Sequence, residues 1–449
     1  MPKPTTSEVA PGPKGGLFLG VMPEFNRDTL SFITRCRSYG DVVRMRFFYI
    51  TVYFLYHPEH IEFVLSTNAK NFIKSRSLRS NFFQRLVGNG LLTSEGDFWR
   101  RQRRLAQPAF HRQRISSYAQ VMVEYTQRMC SSWRDGETRD IYRDMMRLTL
   151  GIVVKTLFNT DIRNDADRVG SALGKMVKPF ASQATLKWIA DNRLPTPTHR
   201  RFHKAAREID EIVYRIIAER RASGSDQGDL LSMLLAAHDE DDGTQMTDRQ
   251  LRDEVMTLFL AGHETTALTL SWAWYLMARN PEVEKKFHAE LGDVLGDSPP
   301  TLADVSRLKY TEMIAKESMR LYPPAYGVGR EAIEECEIGG FRVAPKTQVF
   351  MFQWATQRDE RFYPEPDRFY PERWTEDFSN SLPKYAYFPF GGGPRICIGN
   401  YFAMMEIILV MATIGQQFRL PLVSRAPVKL LPAMSLRPAE GMKVVVHRR

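Results

Sequence analysis

Between Thr247 and Asn280 the chain commits some thirty consecutive residues to one apolar helix, and the rest must be arranged along it. Thr247-Asp-Arg-Gln250 fits a capping box at its start, and Pro281 opens the next segment. At about 1.5 Å per residue such a helix spans about 50 Å, close to the width of the whole protein. Its middle conflicts with its ends. Ala261-Gly-His-Glu-Thr-Thr266 places a glycine, about 1 kcal/mol worse than alanine in a helix, beside threonines able to bond back to the preceding turn. Conflicts of this kind concentrate at functional sites. Ala261 and Thr265 are four apart and share a face with Leu258 and Trp272, so that face suits a flat partner while Thr265 offers a hydroxyl and Glu264 a proton.

The remainder reads as mainly α with a small β region. The first thirty or so residues, with Pro11-Gly-Pro13 and Gly15-Gly16, read as an extended arm, and Val42 to Tyr56 as a strand pair. Helical patterning then dominates to about Arg320, interrupted at Arg221 to Gly228, Asp239 to Gly243 and Gly296 to Pro300. After Tyr322-Pro-Pro324 come short strands and turns, including Phe341 to Phe352, then a last helix and a C-terminal strand region. With no internal repeat or linker, residues 1–449 read as a single domain.

A hydrophobic content of 43% supports a sizeable core. No run of about 18 apolar residues exists and the N-terminus is polar and proline-containing, so neither a membrane anchor nor a signal peptide is expected, and the chain reads as cytoplasmic. Cys36, Cys130, Cys336 and Cys397 lack paired spacing, which fits a reducing compartment. The net charge of +10 comes without a nucleic-acid motif or basic tail, so an acidic protein is the expected partner rather than nucleic acid. The densest basic cluster is Arg100, Arg101, Arg103 and Arg104, extended by Arg112 and Arg114, in a helix beginning near Glu95; it reads either as a docking patch or as a solvated face.

Cys397 closes the run Phe388-Pro-Phe-Gly-Gly-Gly-Pro-Arg-Ile-Cys-Ile-Gly399, in which Phe390, Gly393, Arg395, Cys397 and Gly399 fit the pattern FxxGxRxCxG. Glycines let the backbone approach a large flat group and turn amide N–H groups toward a sulfur, and the apolar stretch after Gly399 predicts a helix whose N-terminus favours a thiolate. No other cysteine lies nearby, which argues against zinc; a porphyrin iron needs only one protein ligand.

On these residues the chain resembles the cytochrome P450 family. The resemblance implies b-type haem with Cys397 as the iron ligand, and a central helix over the opposite haem face in which Glu264 and Thr265 form the acid-threonine oxygen-activation motif and Ala261 lies against the ring. Trp99 and Arg103, four apart, match the family's propionate-binding WxxxR; Arg395 is a further propionate ligand, and Arg330 reads equally as that or as a surface arginine. Glu317-Ser-Met-Arg320 resembles the family's ExxR pair, with Arg373 as third partner, whereas Glu24-Phe-Asn-Arg27 matches the spacing only. By position in the family, Ser75 to Leu92, Phe180 to Leu194, Pro324 to Gly329 and Ala433 to Leu436 line the substrate pocket. Leu86, Val87, Ala325 and Met434 there read equally as pocket or core; Arg76, Arg79 and Arg85 as carboxylate anchors or surface arginines.

The activity implied is insertion of one oxygen atom from O₂ into an apolar small molecule, with two electrons from a separate ferredoxin or flavodoxin-type carrier and its reductase, docking at Arg100, Arg101 and Arg104. The central and cysteine-loop sequences most resemble fatty-acid hydroxylases, giving a fatty acid or similar lipid as expected substrate, with a terpenoid, steroid or secondary metabolite as the alternative. The enzyme is expected to be a monomer. Glu264-Thr265 argues against a peroxide-driven relative, and the conflicted central helix against a non-catalytic haem-binding protein.

Overall fold

The computed structural model describes residues 9–111, 115–159, 197–239 and 243–449. The expected central helix runs over Asp248–Arg279. Thr247 accepts from the Gln250 N–H while the Gln250 side chain accepts from the Thr247 N–H, so the capping box is formed from both sides. Asn280 ends the helix and Pro281 begins the next, Pro281–Leu295. Gly262 does not interrupt it. Burial from Leu251 to Met277 offsets the local cost of the glycine and threonines.

The chain divides into two compact units. One comprises residues 81–318 and 398–449 and is built of helices. There the central helix packs most extensively on Ile141–Phe158, and Asn400–Gln417 packs on Ala119–Ser131, on the central helix and on Pro281–Leu295. Pro197–Ser223 joins the central helix through Arg252, which pairs with Asp210 at 2.5 Å. A two-stranded ladder ties Lys443–Val445 to Thr138–Asp140.

The other unit, residues 1–80 and 319–397, holds a five-stranded sheet. Val42–Phe47 and Ile50–Leu55 form the expected antiparallel pair, and Ile50–Leu55 then runs parallel to Gln348–Met351. Val328–Ala332 and Phe72–Lys74 complete the sheet. The extended arm is shorter than the sequence suggested: Pro23 sits in the first turn of Met22–Arg27, and Asp28 caps Thr29–Cys36 by accepting from Ser31 N–H. Among the described residues no helix is long and apolar enough to cross a membrane.

Candidate active site

In the helical unit the central helix opens at one place. Ala261 is exposed and Leu258, Gly262 and Thr265 are partly exposed, a spacing that sets them on one helical face, while the helix is otherwise largely buried. Thr265 Oγ1 donates to Ala261 O at 2.6 Å and Thr266 Oγ1 to Gly262 O at 2.9 Å, the back-bonding anticipated for these threonines. Trp272 is not on the open face: it is fully buried and its Nε1 donates to Leu436 O at 3.1 Å.

Glu264 is buried and engaged. Its Oε1 accepts from Arg437 Nε at 2.6 Å and from Ser435 Oγ, and lies 2.5 Å from a terminal nitrogen of the same guanidinium. Tyr142 stands close enough to feel both charges; its phenol is pushed up to about 12, chiefly by burial, with Arg437 opposing. Burial pushes the pKa of the adjacent His263 imidazole down, against the bond its Nδ1 donates to Phe259 O at 2.6 Å. The sequence offered Glu264 as a proton source; the structure gives it as half of an ion pair. Ser435, which reads from the sequence only as pocket lining, and Arg437 could not be matched to Glu264 there, because they lie 171 and 173 residues away in the chain.

Trp99 and Arg103 share a face of Gly96–Ala106, Trp99 buried and Arg103 partly exposed. Their basic neighbours are largely compensated. Arg101 and Arg104 both pair with buried Asp239, at 2.9 and 2.8 Å, and Arg100 pairs with Asp97 on its own helix. Arg112 and Arg114 lie outside the described residues, as does the stretch 180–194. Gly399 is the N-cap of Asn400–Gln417, its carbonyl accepting from Ala403 N–H at 2.9 Å. Leu86 and Val87 are fully buried core residues, Arg85 is exposed, and Met434 is half-buried.

In the sheet-bearing unit the cysteine loop is a closed turn. Gly391 N–H donates to Phe388 O, Ile396 N–H to Gly393 O and Cys397 N–H to Phe390 O, at 2.9, 3.1 and 3.0 Å. Gly393 has φ 64°, and a Cβ there would fall 1.7 Å from Leu65 O, so only glycine fits. Phe390 is half-buried, and Arg395 Nη1 anchors the loop by donating to Phe72 O at 3.0 Å. Cys397 is the exposed cysteine of the four, whereas burial pushes the Cys36 and Cys130 thiols up to about 12. Buried Arg330 donates to Gly329 O at 2.9 Å, and Ala325 is half-buried.

Arg320, fully buried, donates to the carbonyls of Gln357, Pro366 and Arg368, and Arg373 donates to that same Arg368 carbonyl at 3.3 Å. Glu317 is likewise fully buried on Lys309–Leu321, whereas Glu24 is exposed and paired with Arg35. Arg76 and Arg79 are both taken by Glu331, at 2.6 and 2.8 Å. Neither stands ready for a substrate carboxylate.

The family model for cytochrome P450 matches residues 10–446. Cyclooctatin synthase of Streptomyces melanosporofaciens is 37% identical over 91% of this chain and 89% of its own length. Cyclooctat-9-en-7-ol 5-monooxygenase of the same organism is 36% identical over 93% and 90%. The solved structure of retinoic acid-bound cyanobacterial CYP120A1 aligns with a TM-score of 0.89, 25% identity, 99% of this chain and 100% of that one. The chain belongs to the cytochrome P450 family and is a monooxygenase, using haem iron, O₂ and a redox partner.

Proposed function

We propose that this P450 oxygenates an apolar terpenoid, with haem b as its cofactor and electrons from a separate ferredoxin or flavodoxin-type carrier. The observation that carries the substrate class is the 37% and 36% identity, over nine tenths of the chain, to two enzymes whose names place them in cyclooctatin formation. The fatty-acid reading rested on the loop and central-helix resemblance, and it lacks the carboxylate anchor that Arg76 and Arg79 would have supplied.

The residues fit haem. Cys397 offers an exposed thiol, and among the described residues no group of three or more His, Cys, Asp or Glu side chains is placed to hold a metal ion. Haem supplies activation of O₂ by two delivered electrons. Cys397 would supply the iron's thiolate, Trp99, Arg103, Arg395 and Arg330 would bind the propionates, and Ala261, Phe390 and Gly399 would be the small and aromatic residues toward the ring. Thr265 keeps its own proton on Ala261 O, so Oγ1 is oriented to accept from a water or substrate donor. Because Oε1 of Glu264 is held by Arg437 and Ser435, proton transfer falls to its Oε2.

The test is a spectral and turnover screen of the holoenzyme with cyclic terpene hydrocarbons and alcohols against long-chain fatty acids. Terpenoids are expected to shift the Soret band toward high spin and to give products one oxygen atom heavier with carrier and NAD(P)H. A shift and product from fatty acids alone would overturn the terpenoid reading.

A further inference from the structure

Two turns in the sheet-bearing unit carry apolar side chains into solvent. Leu17 is 79% exposed, Phe18 82%, and Tyr49 86%, with Leu19 beside them at 38%. These are not loose ends. Gly16 and Gly20 exchange both backbone hydrogen bonds at 3.0 Å, which places Leu17, Phe18 and Leu19 at the tip of a closed turn. Gly20, at φ 60°, has its Cα facing Arg46 O so closely that a Cβ would fall 1.8 Å from it. The turn is then fastened to the hairpin Val42–Phe47 and Ile50–Leu55: Val21 N–H donates to Arg46 O, Phe48 N–H to Leu19 O, and Arg46 to Leu17 O at 2.6 Å. Folding therefore holds three consecutive apolar residues and a tyrosine outward, where they forgo the stabilisation of burial.

The surroundings say what suits them. From Val9 to Ile50 the chain carries six Lys and Arg against three Asp and Glu. Lys14, Arg44 and Arg46 are exposed and near the tips in the chain, with Arg46 bonded to the turn itself, while Glu24 is paired with Arg35, Asp28 is turned to its helix cap and Asp41 is bound by Arg361. Apolar and aromatic tips ringed by cations match the acyl boundary and anionic headgroups of a bilayer. We propose that this double turn is a membrane-interface anchor: Leu17, Phe18, Leu19 and Tyr49 enter the headgroup boundary of an anionic lipid surface, and Lys14, Arg44 and Arg46 meet its phosphates.

The experiment uses the full-length holoenzyme and sedimentation with phosphatidylcholine vesicles containing or lacking phosphatidylglycerol. Binding is expected to anionic vesicles, to fall about tenfold or more in the double variant Leu17→Ser with Phe18→Ser, and to fall similarly in Lys14→Glu with Arg44→Glu or at high salt. Because all four positions are exposed, the carbon monoxide difference spectrum should be unchanged, which separates lost binding from lost fold. In a second readout, Phe18→Trp fluorescence should shift to the blue on adding vesicles and be quenched by brominated lipid. Failure to bind anionic vesicles, binding indifferent to the Leu17 and Phe18 changes, or self-association in solution that those changes abolish would each overturn the proposal.

Discussion

At the scale of single residues, what separates Cys397 from the other three cysteines is accessibility. Cys36 and Cys130 are buried among apolar side chains, where a thiolate is disfavoured, and Cys397 ends a turn that presents its sulfur. Cys397→Ser should therefore abolish the carbon monoxide band that gives the family its name while leaving the circular dichroism of the protein intact. Glu264 poses a different problem, because its charge is both a proposed proton carrier and half of a buried pair. Glu264→Gln keeps a group able to bond Ser435 and Arg437 but removes the titrating proton, so turnover should fall by about 10²-fold or more, with a smaller loss of stability than removing Arg437, because the guanidinium left behind keeps some solvent contact and a hydrogen-bond partner. Arg437→Met does the reverse. It leaves a carboxylate, 3% exposed, without its countercharge, and should cost about 3–5 kcal/mol in denaturant unfolding. If both variants lost only stability, Glu264 would be a structural residue.

At the scale of elements, local chemistry explains which parts the sequence disclosed. The capping box of the central helix involves residues three apart, the strand pair at Val42 is joined by a short turn, and the cysteine turn closes within ten residues. Each was legible because its hydrogen bonds are made inside the motif itself. Thr247→Ala should cost about 1 kcal/mol, measurable as a lowered unfolding midpoint without loss of haem. Gly393→Ala acts otherwise: the added carbon meets Leu65 O, so the cysteine turn must deform, and haem content should drop ahead of helicity. The partners of Glu264, of Arg76 and Arg79, and of Arg101 and Arg104 lie between 135 and 255 residues away in the chain. No periodicity or spacing encodes such pairings. That is why Glu264 read only as a proton source, Arg76 and Arg79 as anchors or surface arginines, and the basic cluster as a docking patch or a solvated face, where the fold has ion pairs.

At the scale of the whole molecule, charge that looks uniform in a count of +10 is distributed into local pairs, and these make stability depend on pH. The sharpest case is Glu284 on Pro281–Leu295. Burial works against its charge, but His288, with Nε2 3.8 Å away, and Arg419, at 2.6 Å, outweigh burial and bring the carboxyl down to about 2 from an ordinary 4.5. At 3.8 Å His288 is beyond hydrogen-bond length, so the bond to Glu284 is made by Arg419. A group whose folded pKa is depressed adds stability above its unfolded value and loses it as pH falls through the folded one. Wild type should therefore exceed Glu284→Gln in thermal midpoint above about pH 4.5, and the gap should close between about 4.5 and about 2. Arg419 is 56% exposed, so solvent screening reduces the effect and added salt should narrow the gap further. A gap that stayed constant across this range would show that Glu284 acts through packing alone.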